Sequence, residues 1–227
     1  IHNNRMVLLM LGRQQGKTIL SSAYILWYVL FQSNKTVAVV ANKDENAMET
    51  LSRLQLMYEN LPIWMQQGIK VWNKGDIELE NGSKVKTSAT SASGLRSRTI
   101  SLLYIDEAAI IPNNIADSFF AATYPVISSG KTSKILMTST PLGYNHFWKF
   151  WNDAKNKLND FVPLHVPYWK VPGRDEAWAK EQLRLLGEVK YNQEVTCLGG
   201  AAMIKLKDTK TGKIFETTLE EAYSLLS

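Results

Sequence analysis

Two short stretches of the chain hold residue types suited to phosphoryl chemistry. The first is Gly12-Arg13-Gln14-Gln15-Gly16-Lys17-Thr18, set between an apolar run and a helical pattern. Successive backbone N–H groups and the positive end of a helix hold a triphosphate, so the loop needs glycine where side chains would block approach. In this reading Lys17 reaches the β- and γ-phosphates and Thr18 offers its hydroxyl to Mg²⁺. The usual spacing places a glycine five residues before the second one. That position here is Leu11, and Gly12 comes one residue late. The second stretch is Asp106-Glu107, which closes the apolar run "LLYID". An Asp at such a strand end can hold the Mg²⁺ shell, and an adjacent Glu can polarise the attacking water. Either stretch alone has an ordinary explanation, a chance Gly-Lys-Thr at a helix start or two solvated acids. Together, each at the end of a buried strand, they point to nucleoside triphosphate hydrolysis.

These groups can meet only if strands carry them to one edge. "MVLLML" (6–11), "KTVAVVA" (35–41), "TISLLYIDEAA" and "SKILMTSTPLG" read as strands buried on both faces. Between them, "ILSSAYILWYVLFQ" and residues 44–61 have helical length, the latter with an acidic first turn that suits the dipole. Asn81-Gly82 marks a hairpin inside "DIELENGSKVKTSA". Further on, "YNHFWKFWNDAKNKL" reads as helix, "FVPLHVPYW" as extended, and "RDEAWAKEQLRLLG" as a helix stopped by its glycine. Buried strands alternating with helices predict an α/β fold, a mainly parallel sheet with helices on both faces. In such a sheet both motifs end at the carboxyl edge, where ligands bind.

With 227 residues, 45% of them hydrophobic, the chain can bury a real core. The net charge of +5 is compatible with a polyanionic partner without arguing for one. A single cysteine excludes a disulfide framework and fits a reducing cytoplasm. No apolar run reaches the roughly 18 residues of a membrane span, and no signal peptide is visible.

From these residues the chain resembles the ATPase domain of the large terminase subunit of tailed bacteriophages, of the T-even type, over about residues 6–196. "GRQQGKT" resembles that family's deviant phosphate loop, whose Arg acts as an arginine finger in cis; here that is Arg13. "LLYIDEAAIIP" resembles its acidic motif, with Asp106 for metal and Glu107 as catalytic carboxylate. "ILMTSTPLGYNHFWKFW" resembles its coupling motif, with Thr138, Ser139 and Thr140 at the strand end. A hydroxyl cluster there could sense a γ-phosphate by a hydrogen bond gained or lost. The resemblance implies a P-loop fold, ATP and Mg²⁺ as cofactors, and a motor that drives double-stranded DNA into a procapsid. It also implies a ring of identical subunits, a portal ring and a small terminase subunit as partners. The place of action would be the host cytoplasm, transiently at the procapsid portal, with no membrane. Arg96 and Arg98 in "GLRSRT" are candidates for DNA or a neighbouring nucleotide, with a solvated basic loop as the plainer reading. The family's upstream adenine-binding segment and its ribonuclease H-type nuclease domain have no counterpart here, so the chain is not expected to cut DNA by itself. A helicase-like translocase and a nucleotide-gated binding module share the loop and acids and stay open as alternatives.

The chain changes character at its one thiol. "CLGGAAMIKLKDTKTGKIFETTLEEAYSLLS" resembles the N-terminal piece of an intein, split or contiguous. Domain boundaries follow: an ATPase domain over 1–196 and an intein fragment over 197–227, a short β-rich appendage. Strands are expected over 203–207 and 213–217, and a helix from about Leu219. Cys197 would be the splicing nucleophile, since an N-to-S acyl shift needs a thiol at that residue, and a complementary C-intein chain would be the partner if the intein is split. Ala201-Ala202 stand where that pattern has Asp-Thr. The alternative is a buried apolar cysteine followed by a hairpin of the motor itself.

Overall fold

A computed structural model describes residues 1–90, 99–128, 132–197, 203–207, 212 and 214–218. Arg96, Arg98 and the expected helix from Leu219 lie outside the described residues. The strands are β1 (Met6–Leu11), β2 (Thr36–Ala41), β3 (Ile69–Trp72), β4 (Asp76–Leu79), β5 (Lys84–Ala89), β6 (Leu102–Ile105), β7 (Lys134–Ser139), β8 (Val162–Val166), β9 (Met203–Lys207) and β10 (Ile214–Thr218). The helices are α1 (Lys17–Phe31), α2 (Asp44–Glu59), α3 (Asn113–Ser128), α4 (His146–Lys155) and α5 (Glu176–Tyr191).

Eight strands form one sheet in the order β3-β4-β5-β2-β6-β7-β1-β8. From β5 to β8 every pairing is parallel, and only the β3–β4–β5 edge is antiparallel. The Asn81-Gly82 turn makes β4–β5, with Gly82 at φ 81°. Alternation along β1 shows how both faces are covered. Val7, Leu9 and Leu11 join a core with Ile25 and Val29 of α1 and Leu51 and Leu54 of α2. Met6, Leu8 and Met10 join a second core with Phe119 of α3 and Phe147 and Trp151 of α4. Each such side chain contributes about 1.5–3 kcal/mol by burial, which explains the uninterrupted apolar runs.

The order β6-β7-β1 matters most for function. It sets the strand ending in hydroxyls between the strand ending in the loop and the strand ending in acids. Parallel register aligns Leu9 with Thr138 and Ile105 with Met137, so all three strands finish at one edge.

Gly187 ends the first helical stretch of α5 as expected, leaving the helical path at φ 71°, ψ 162°; a second helical stretch then runs on to Tyr191 and into a π turn over Asn192–Thr196. Residues 69–72 and 113–128, which carry no strong sequence signal, form β3 and α3. After Cys197, β9 and β10 pair antiparallel as a separate two-stranded hairpin. Among the described residues no helix is long and apolar enough to cross a membrane.

Candidate active site

Strand β1 delivers the loop, and two left-handed residues shape it, Gln14 at φ 55° and Gly16 at φ 80°. Gly16 is the N-cap of α1, so the first N–H groups of a 15-residue helix open towards the loop. Lys17 is buried to 6% exposure. Its ammonium donates to the Leu11 carbonyl at 3.3 Å and lies 3.4 Å from Glu107 Oε1. The Thr18 hydroxyl donates to Asp106 Oδ2 at 3.3 Å. Four residues singled out by type and spacing therefore meet at one place.

The acidic turn is held by the strand beside it. Asp106 Oδ1 accepts from the Thr138 hydroxyl at 2.9 Å and from the Glu107 N–H at 3.0 Å. Its other oxygen accepts from Thr18 and, at 3.5 Å, from Thr50 of α2. Glu107 takes a left-handed conformation at φ 50°, ψ 46°. Such strain in a non-glycine residue marks a place where geometry outranks local preference. Its Oε2 is buried without a hydrogen-bond partner among the described residues. Ser139 Oγ accepts from the Ala109 N–H at 3.0 Å, and Thr140 is buried. Asn145 donates to the Ala109 carbonyl at 2.7 Å. His146 Nε2 lies 2.7 Å from the Ala108 carbonyl, which can only accept, so Nε2 carries the proton. Burial lowers the His146 pKa, partly offset by that bond and by Asp117. Thr138 and Ser139 thus both address the acidic turn.

A cleft of about 230 Å³ opens beside these groups, lined by Thr18, Ala41, Asp106 and Glu107 and by Asn46, Glu49, Thr50 and Arg53 of α2. The α2 residues were missed from sequence. Thr50 carried a usable signal, because it is a polar residue on the apolar face formed by Ala47, Leu51 and Leu54. Mg²⁺ prefers oxygen ligands and binds through one or two carboxylates plus phosphate and water, not an all-protein cage. Asp106 with the Thr18 hydroxyl fits that pattern, and the described residues contain no cluster of three His, Cys, Asp or Glu that could hold a metal alone.

Residues 8–221 match the family described as terminase large subunit, T4likevirus-type, N-terminal. The chain belongs to this family. Among curated proteins it is similar to the terminase large subunit of Thermus phage G20c, 22% identical over 81% of this chain and 44% of that protein. It thus spans less than half the length of that relative. Among solved structures it resembles the large terminase ATPase domain of Thermus phage P74-26, with TM-score 0.64, 20% identity, and coverage of 84% of this chain and 86% of that one. It also resembles the large terminase of a thermophilic bacteriophage solved in complex with ATP-γ-S, with TM-score 0.66, 14% identity, and coverage of 88% and 50%. At these identities the structural likeness speaks for the fold.

In this terminase domain the late glycine of the loop has a reason. A Cβ on Gly12 would stand 2.7 Å from the Glu194 carbonyl oxygen and 3.0 Å from that of Val195. Gly12 is therefore required by the turn after α5. Its N–H is satisfied by Gln15 Oε1 at 3.0 Å. The Arg13 side chain is 75% exposed, with Nε 3.3 Å from Glu194 Oε2, and it does not line the cleft. Cys197 is 2% exposed, lies in the core with Met10, Met137 and Phe147, and has φ 50°. Burial pushes its thiol up to about 12; Lys17 acts to lower it, and Glu194 and Glu107 to raise it.

Proposed function

We propose that this domain hydrolyses ATP with Mg²⁺ and couples turnover to the movement of double-stranded DNA into a phage procapsid. One observation carries the reading: Lys17, Thr18, Asp106 and Glu107, from two strand ends, converge within hydrogen-bonding or ion-pairing distance beside a cleft. The relative solved with ATP-γ-S supports the choice of nucleotide. Lys17 and the loop N–H groups bind phosphate. Thr18 and Asp106 would hold Mg²⁺, which supplies charge neutralisation between the β- and γ-phosphates. Glu107 takes the proton of the attacking water, and its Oε2 is free of other donors among the described residues. Since Lys17 already sits on Glu107 Oε1, phosphate competes with that carboxylate for one ammonium, and binding frees the base. Arg13 reaches phosphate only by leaving Glu194. Thr138, hydrogen-bonded to Asp106 and to Tyr104, links the metal carboxylate to β7. The larger setting belongs to the same proposal: a T-even type motor in a ring of identical subunits, served by a portal ring and a small subunit in the host cytoplasm.

The test separates binding from turnover. Glu107→Gln keeps nucleotide affinity within about threefold and lowers kcat by about 10²–10⁴-fold. Lys17→Ala loses affinity. Normal hydrolysis by Glu107→Gln overturns the assignment.

For the segment from Cys197 we propose the N-terminal piece of an intein. The β9–β10 hairpin is the strand pair that this reading requires, and a hairpin native to the motor would require it equally. In this fold the thiol is buried and protonated, so an acyl shift requires Cys197 to leave the core. Incubation with a small thiol, followed by mass measurement, should release the 1–196 fragment, and Cys197→Ala should abolish release. An intact chain in the presence of a complementary C-intein supports a hairpin native to the motor.

A further inference from the structure

The phosphate loop has contacts that the chemistry of the cleft does not use. Arg174, just ahead of α5, donates from Nη1 to the Arg13 carbonyl at 3.2 Å and from Nη2 to the Gln14 carbonyl at 2.7 Å. The guanidinium lies over the Trp178 ring, 4.6 Å from its centroid. The Trp178 backbone is set by the helix cap, where Asp175 Oδ1 accepts its main-chain N–H at 2.8 Å. At the far end of the same helix the π turn comes back to the loop, and the Arg13 N–H donates to the Glu194 carbonyl at 2.7 Å. Arg13 is thus gripped at its N–H from one end of the α5 segment and at its carbonyl from the other.

A trans peptide is planar, with its C=O and the next N–H pointing in opposite directions. Fixing the carbonyls of Arg13 and Gln14 therefore fixes the N–H groups of Gln14 and Gln15, and turns them away from the guanidinium. Those are loop N–H groups of the kind that receive phosphate. Two parallel bonds plus a stacked ring need a planar fork, which a lysine ammonium cannot copy.

We infer that Arg174 is a positioning residue for the nucleotide site: it orients the Gln14 and Gln15 N–H groups through their carbonyl partners and touches no phosphate itself. This rests on the nucleotide-binding reading above. Its distance in sequence from the loop, with |i−j| of 161 and 160 for the two bonds, explains why spacing did not reveal it.

The experiment measures ATP-γ-S and ADP affinity, steady-state kcat and KM, and Tm for wild type, Lys17→Ala, Arg174→Lys and Arg174→Ala. Arg174→Ala should weaken both nucleotides about tenfold, with KM rising more than kcat falls. Arg174→Lys should keep the charge and still bind several-fold more weakly than wild type. Wild-type affinity in Arg174→Ala overturns the inference. So does full recovery in Arg174→Lys, which would mean that charge alone suffices. Should Arg174→Ala lose much of its Tm, Arg174→Lys decides. If wild type binds no nucleotide while Lys17→Ala is equally inert, the nucleotide reading fails and takes this inference with it.

Discussion

The phosphate loop and the acidic turn sit one strand apart, at the ends of β1 and β6, yet they are held in different ways. The acidic turn is fixed from within the sheet. Thr138 and Ser139 of the intervening β7 hold Asp106 and Ala109, and His146 and Asn145 of the following segment hold Ala108 and Ala109. The loop is fixed from outside, by Arg174 before α5 and Glu194 after it. Little of α5 is buried; Ala179 is its buried residue. On the proposed function, the carboxylates that would meet a metal are thereby built into the core. On the same reading, the loop that would bind phosphate is held by a lightly packed segment.

The sharpest way to break this contrast is Gly12→Ala. The added Cβ meets backbone oxygen at 2.7 Å, so the π turn has to move off the loop and carry Cys197 with it. At pH 8 a thiol pushed up to about 12 is thiolate in only about one molecule in 10⁴, whereas an ordinary exposed thiol is substantially ionised. Alkylation of Cys197 should therefore be at least about a hundredfold faster in Gly12→Ala than in wild type. An equal rate in both would show that the turn is not held by its fit against Gly12.

The same contrast governs what could be read in advance. The α/β class, the parallel core strands, the hairpin at Asn81-Gly82 and the meeting of Lys17, Thr18, Asp106 and Glu107 follow from local signals: apolar runs, turn residues, and glycine beside lysine at a helix start. The β9–β10 hairpin was also legible. The hold of the C-terminal segment on the loop was not. A backbone carbonyl has no sequence signature, so neither Glu194 O against Gly12 nor the Arg13 and Gln14 carbonyls that receive Arg174 could be foreseen. Gly12 was assigned to phosphate approach because its neighbours invite that, while its packing partner comes from the far end of the domain. Gly187 was read as a stop because glycine there suits a C-cap, and the helical path does end there; the glycine could not announce that the chain coils again and reaches the loop. Thr50 was passed over because a lone threonine on a helix face is weak evidence until the helix is docked.

A smaller effect tests the acidic turn. Ser139→Ala removes the acceptor of the buried Ala109 N–H. An unsatisfied buried group costs about 1–3 kcal/mol, and each kcal/mol is worth about 2–4 °C in a chain of this size. A Tm drop of several degrees by calorimetry is expected, with nucleotide affinity little changed. A loss of affinity without a loss of Tm would mean that Ser139 addresses the nucleotide and not the turn.

The smallest effect is a pH dependence, and its sign follows from His146. Burial holds this imidazole below its ordinary value near 6.5, against the Ala108 hydrogen bond and Asp117, which both act to raise it. The unfolded chain therefore binds the proton first. Above about pH 6.5 both states are neutral and the full stability is present. As pH falls below that and through the lower folded value, the unfolded state gains protons that the folded state refuses, and stability is lost. His165 is lowered by burial as well and adds to the slope, so wild type alone cannot isolate one residue. His146→Gln keeps an N–H donor and removes the titration. Its Tm should fall by less than that of wild type between pH 7.5 and 5.5, even though it starts lower. Parallel Tm curves for the two proteins would mean that the acidic turn tolerates an imidazolium, and that its hold from within the sheet is looser than the hydrogen bonds to Ala108 and Ala109 imply.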